Sequence, residues 1–175
     1  GYTALVGPNG AGKTTLLLQL EEIAKERGYE VFHYSNLRDG GENARQQYLR
    51  EDSLDYLATS VCSSEGEQLV LNFGKIAGKI GGLVRKSVEN DTPLFILLDG
   101  LDSGASIDRT RELMALFRLM ERDAGETPGG TEHELYIVAA VNSYELARYS
   151  CVDVRTGESL SFGDYAKYIC NCFDR

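Results

Sequence analysis

The stretch Gly7-Pro8-Asn9-Gly10-Ala11-Gly12-Lys13-Thr14-Thr15 fits the pattern G-x-x-x-x-G-K-[ST] at every fixed position. The chemistry open to such a loop is the holding of a phosphate chain. Glycines let the backbone curl with its N–H groups inward, and a helix starting at the loop adds the positive end of its dipole. The Lys13 ammonium would reach the β- and γ-phosphates, and the Thr14 hydroxyl would ligand Mg²⁺. Asn9, Gly10, Ala11, Gly12, Lys13, Thr14 and Thr15 are therefore the expected nucleotide-binding residues. A plain glycine-rich turn before a helix would account for the glycines, but not for the Lys-Thr pair or for the strand and helix on either side.

Two further stretches carry chemistry. Pro93-Leu94-Phe95-Ile96-Leu97-Leu98-Asp99 reads as a buried strand ending in an acid, the Walker B pattern, which brings the Asp99 carboxylate close to Mg²⁺, usually through water. A hydrophobic run ending in Asp is weak alone and gains its meaning behind a complete phosphate loop. Ser64-Glu65-Gly66-Glu67 reads first as a capping box, with Ser64 as N-cap and Glu67 three residues later. The same hydroxyl and exposed N–H groups form an anion site, able to take the γ-phosphate of a nucleotide held by another subunit. Asn36, Arg38, Gln46 and Gln47 are candidates to sense Mg²⁺ or the γ-phosphate, with a solvated loop as the simpler alternative.

These residues need strands and helices to position them. Tyr2–Val6 reads as a short buried strand, followed by the loop and an apolar helix running to about Arg27. Gly28 stops that helix, and Tyr29–Tyr34 reads as a second strand. Strand, helix, strand implies parallel pairing with a crossover helix and hence an α/β fold. Ser35–Asn43 reads as a loop and Ala44–Thr59 as an amphipathic helix. A further helix turns Phe73, Ile76, Ile80, Leu83 and Val84 toward the core, with a basic stripe of Lys75, Lys79 and Lys86. Its third face is bare, with Gly74, Gly78 and Gly82, and glycine costs about 1 kcal/mol relative to alanine in a helix. A break at Gly81-Gly82 is expected, and so is a close backbone approach along the strip, either inside the fold or across an interface. After Asp99 come a helix from Arg109 to about Arg122, a loop from Asp123 to Glu134, a strand from Leu135 to Val141 and a helical turn from Tyr144 to Tyr149. A hairpin of Val152–Val154 with Leu160–Phe162 and a helix from Tyr165 to Cys172 close the chain. The expected fold is α/β, a P-loop NTPase with a mostly parallel central sheet flanked by helices, a minimal helical subdomain over about 44–90, and a C-terminal hairpin and helix.

The 175 residues suit one domain over 1–175, and 42% hydrophobic with 26% charged residues is the balance of a soluble globular protein. No apolar run approaches the ~20 residues of a membrane span. Nothing resembles a secretion signal, although the chain begins with Gly1 already beside a strand, compatible with a few missing residues or a removed tag. Cys62, Cys151, Cys170 and Cys172 form no C-x-x-C pair, and reduced thiols in a cytoplasmic protein are expected. A net charge of −9 opposes general attraction to nucleic acid, so any such contact would need the local stripe of Lys75, Lys79 and Lys86.

In order along nearly the whole chain, these motifs resemble the ABC-type ATPase fold, especially the soluble SMC-like and "AAA family" ATPases of prokaryotes and their phages. Gly7 to Thr14 looks like Walker A, Ser64-Glu65-Gly66-Glu67 resembles the signature S-G-G-Q, and Leu94 to Asp99 looks like Walker B. Ser103 to Asp108 resembles the D-loop, and Asn142 falls where the family's switch histidine follows its strand. The resemblance implies a head-to-tail homodimer around two ATP·Mg²⁺, with Ser64 and Gly66 acting on the partner's nucleotide and closure moving a protein partner.

The departures bear on hydrolysis. The family's water-polarising glutamate is replaced by Gly100, and the switch histidine by Asn142, which can donate a hydrogen bond to the γ-phosphate but does not titrate near neutral pH. Asp102, on the same loop, is the substitute base that this leaves, although a two-residue offset normally changes a side chain's direction. Residues 1–6 leave no room before the loop for the family's N-terminal antiparallel strands and adenine-stacking aromatic, so base specificity stays open with ATP preferred. Three functions are expected in this order: an ATP-hydrolysing motor or switch, a non-hydrolysing ATP-gated dimerisation module, and a nucleotide or small-molecule kinase. The kinase lacks a clustered arginine lid, since Arg45, Arg50, Arg85, Arg109 and Arg111 are scattered.

Overall fold

The computed structural model describes residues 1–39, 78–125 and 133–173. The strands are β1 (Tyr2–Val6), β2 (Glu30–Ser35), β3 (Leu94–Asp99), β4 (Leu135–Ala140), β5 (Cys151–Asp153) and β6 (Ser159–Leu160). The helices are α1 (Lys13–Glu26), α2 (Asn36–Asp39), α3 (78–89), α4 (Ile107–Gly125), α5 (Tyr144–Ala147) and α6 (Tyr165–Phe173). All six strands form one sheet in the order β2-β3-β4-β1-β5-β6, parallel except for the β5–β6 hairpin. This is the mostly parallel α/β sheet that the sequence predicts.

One expectation changes in detail. β1 and β2 are parallel members of the sheet but not neighbours, because β3 and β4 lie between them. Burial explains the order. β1 is buried at four of its five positions and sits inside the sheet, whereas β2 carries Glu30 and His33 and buries only Tyr34, as suits an edge strand.

The two faces of the sheet feed two cores. Ala4, Val6, Leu94, Ile96, Leu98, Ile137 and Ala139 point to the larger one, beneath α3, α4, α5 and α6. Leu5, Leu97 and Ala140 point to the other, where Leu17 of α1 covers them. Within the larger core, Phe117 of α4 stacks on Tyr2 with ring centroids 5.4 Å apart. Helices on opposite faces leave a crevice at the carboxyl ends of β1, β3 and β4, where open α/β sheets bind ligands.

Several boundaries differ from expectation for identifiable reasons. The loop expected from Ser35 begins as the single turn α2, closed by the Ser35 N–H donating to the Asp39 carboxylate at 2.9 Å. α4 starts at Ile107, before the expected Arg109, because Ser106 caps it: its carbonyl accepts from the Thr110 N–H at 2.9 Å. α3 runs unbroken through Gly81 and Gly82, anchored by Ile80, Leu83 and Val84 against the core. A Cβ added at Gly78, Gly81 or Gly82 would meet nothing within 4 Å, so among the described residues these glycines make no close approach inside the fold. Of the basic stripe, Lys86 is paired with Glu30 at 2.6 Å, and Lys75 lies outside the described residues. Also outside them are Ser64, Gly66, Glu67, Gln46, Gln47 and most of the expected helical subdomain. No helix among the described residues is long and apolar enough to cross a membrane. Cys151, Cys170 and Cys172 are free thiols.

Candidate functional site

The loop between β1 and α1 owes its shape to its glycines. Gly12 is the α1 N-cap at φ 98°, left-handed backbone that side-chain-bearing residues rarely adopt. From there Leu16 N–H returns to the Gly12 carbonyl at 2.9 Å, so the helix begins at Lys13 and aims its free N–H groups into the loop. Asn9, Gly10, Ala11, Gly12, Lys13, Thr14, Thr15, Asp99 and Asn142 together line an open cavity of about 300 Å³. Every loop residue expected to bind phosphate is in that lining, as are Asp99 and Asn142 from the ends of β3 and β4. A cavity of this size is at the small end of ligand sites.

Each charged group in the cavity has a partner. Lys13 Nζ donates to the carbonyls of Gly7 at 2.5 Å and Pro8 at 3.3 Å. Burial holds its ammonium below the usual lysine range, with Asp102 and Asp99 opposing the shift. The Thr14 hydroxyl donates to Asp99 Oδ2 at 2.9 Å. Two hard oxygens this close at the floor of a phosphate loop are a fitting donor pair for Mg²⁺, which keeps several waters and takes few protein ligands. An ammonium and a row of helix-end N–H groups above them fit a phosphate chain. The residues present therefore suit both ATP and Mg²⁺.

The positions expected to handle water depart from the family pattern more than the sequence suggests. Gly100 has φ 71°, and a Cβ there would lie 3.3 Å from the Asn36 Cβ. The missing glutamate is thus also a backbone matter, since the chain at this point takes a shape that suits glycine.

Asp102 does not line the cavity. Its Oδ2 accepts the main-chain N–H groups of Asn142 at 2.6 Å and Ser143 at 2.5 Å. Burial raises its pKa, and those two N–H groups and Lys13 hold the rise in check. The two-residue offset has turned the carboxylate onto the start of α5, so the expected substitute base is engaged elsewhere.

Of the other sensing candidates, Arg38 is tied to Asp39 at 3.1 Å and to the His33 carbonyl at 2.9 Å. Asn36 lies beside Gly100 and accepts from the Tyr34 hydroxyl at 3.3 Å. Sequence reasoning missed Tyr168, whose hydroxyl donates to the Asn142 carbonyl at 2.7 Å. The available signal was a tyrosine in the middle of the apolar face of a short helix, where a buried phenol needs an acceptor. Among the described residues there is no cluster of His, Cys, Asp or Glu fit to hold a further metal ion.

A family model described as "ATPase family associated with various cellular activities (AAA)" matches residues 3–152. The matched span runs from β1 into β5 and takes in the phosphate loop, Asp99 and Asn142. A comparison with curated proteins returned no match. The family match does not reach the finer ABC-type division that the motif order resembles. With a complete phosphate loop, an acid from the end of the parallel strand β3 beside Thr14, and a match over most of its length, the chain belongs to the AAA family of P-loop ATPases.

Proposed function

We propose that this domain binds ATP with Mg²⁺ at the Gly7–Thr15 loop, hydrolyses it slowly, and uses the bound state to close two copies head-to-tail and gate a protein partner. The observation that carries the slow step is the cavity lining, in which Asp99 is the only carboxylate among the described residues. Asp99 is engaged by Thr14 and would hold the metal, which leaves no other carboxylate in the cavity lining among the described residues to orient water. Losing a general base of this kind costs about two to four powers of ten in rate. Bound Mg²⁺ supplies neutralisation of the phosphate charge. Lys13 holds the β/γ end of the phosphate chain, Thr14 and Asp99 hold the metal's position, and Asn142 offers a carboxamide N–H to the γ-phosphate.

The head-to-tail arrangement rests on Ser64-Glu65-Gly66-Glu67 and on the D-loop-like Ser103–Asp108, read from sequence. A non-hydrolysing dimerisation switch is the second reading, favoured by the same left-handed Gly100 and engaged Asp102. Sizing the protein with and without ATP·Mg²⁺, alongside a phosphate-release assay, tests both. ATP-dependent doubling of mass, blocked by Ser64→Arg, with slow Mg²⁺-dependent release lost in Lys13→Ala, is expected. Dimers without release would leave the switch, and neither dimers nor release would defeat the whole reading.

A further inference from the structure

Asn142 is the residue whose side chain the reading above assigns to the γ-phosphate, yet it stands where the backbone has little to hold it. β4 ends at Ala140, and Val141 makes the last sheet-like bond, to the Leu5 carbonyl at 3.1 Å. Three residues on, at Tyr144, the four-residue α5 begins. A residue in such a gap has no ladder to fix its peptide planes.

Here both planes are held from outside. The N–H of Asn142 and the next N–H donate to the same oxygen of Asp102, at 2.6 and 2.5 Å. Its carbonyl accepts the Tyr168 hydroxyl at 2.7 Å. Tyr168 is only 1% exposed, and the rings of Phe162 and Tyr144 pack around it with centroids 5.3 and 5.7 Å away. Burial raises its pKa, which keeps the phenol protonated and a donor.

We propose that Asp102 and Tyr168 are positioning residues, clamping the main chain of Asn142 from its two sides so that its carboxamide stays aimed into the nucleotide cavity. The inference rests on the reading of that cavity as an ATP site. It also makes the C-terminal helix α6 part of the site, through one hydroxyl.

The test is a double-mutant cycle read as the preference for ATP over ADP in the presence of Mg²⁺, by titration calorimetry on the full chain. Asn142→Ala, which removes a hydrogen bond to a charged group, is expected to lower that preference about tenfold. Tyr168→Phe, which keeps the ring and its packing, is expected to lower it about threefold to tenfold while leaving ADP affinity in place. In the Asn142→Ala background, Tyr168→Phe is expected to change the preference less than about twofold, because the side chain it aims is gone. A merely structural tyrosine would weaken ATP and ADP alike and would act equally in both backgrounds, and that result overturns the proposal. Should Tyr168→Phe not fold, Asp102→Asn, which retains an acceptor oxygen, and Asp102→Ala, which does not, carry the same comparison. The Ala variant alone is expected to lose the preference, and equal behaviour of the two overturns the clamp. A wild-type protein that does not distinguish ATP from ADP would instead overturn the assignment of Asn142 itself.

Discussion

Gly100→Glu introduces the carboxylate that the ABC-type pattern resembled by the sequence places after the Walker B acid, and the geometry at that point predicts a poor return. With φ 71°, an L residue at this position pays about 1–2 kcal/mol for left-handed backbone. Its Cβ would sit 3.3 Å from the Asn36 Cβ, tighter than ordinary van der Waals contact, adding up to about 1 kcal/mol. The expected loss of stability is roughly 1–3 kcal/mol, or about 2–12 °C in Tm for a domain of this size. Asn36→Gly in the same chain removes the steric part and leaves the backbone part, so it is expected to recover less than half. Turnover should rise less than about tenfold, because a side chain leaving left-handed backbone does not point along the path of one from ordinary backbone. Thermal denaturation and phosphate release, measured on the same preparations, check both halves. An unchanged Tm, or a hundredfold gain in turnover, would refute the reasoning by showing that the turn re-forms freely around a glutamate.

Three shorter predictions follow from other contacts. Thr14→Val removes the hydroxyl 2.9 Å from Asp99 Oδ2 and is expected to lower Mg²⁺-dependent phosphate release at least about tenfold and to raise the Mg²⁺ needed for half-maximal rate, as a metal titration would read. Phe117→Ala opens the stack on Tyr2 beneath β1 and should cost about 3–5 kcal/mol by urea unfolding, with a loss under about 1 kcal/mol counting against the packing. Asp102, whose pKa burial raises, binds its proton more tightly folded than unfolded, so it destabilises the fold above its folded pKa and this penalty fades as pH falls through that value. The Tm of wild type should therefore gain on that of Asp102→Asn as the pH is lowered toward the ordinary carboxylate range, and parallel curves would contradict it.

How far the sequence carries depends on the reach of each interaction. The phosphate loop and Asp99 were legible because their signals are local: fixed glycines, a Lys-Thr pair, and an apolar run ending in an acid. Nine residues from three strand ends meet in one cavity, and each of them was named from sequence alone. Strand neighbours were not legible, since nothing in Tyr2–Val6 or Tyr29–Tyr34 says that β3 and β4 come between. The glycines of α3 were read as a break because propensity is summed locally, whereas Ile80, Leu83 and Val84 hold the helix from the sheet side. The offset of Asp102 hinted at a changed direction, but the N–H groups it reaches and the partner of Tyr168 were beyond reach for the same reason, as they are set across forty and twenty-six positions.

Gly100 and Asp102 are best understood together. Left-handed backbone at Gly100 turns the chain back on itself, with the Ser103 N–H returning to the Gly100 carbonyl at 3.3 Å. That tight turn carries the Asp102 carboxylate across to the N–H groups of Asn142 and Ser143. A glutamate at position 100 would compete with the turn, and without the turn Asp102 would not reach. The same local choice that removes a water-orienting carboxylate therefore supplies the acceptor that fixes Asn142. Under the proposed function, such an exchange would give up speed in the chemical step and strengthen discrimination of the γ-phosphate.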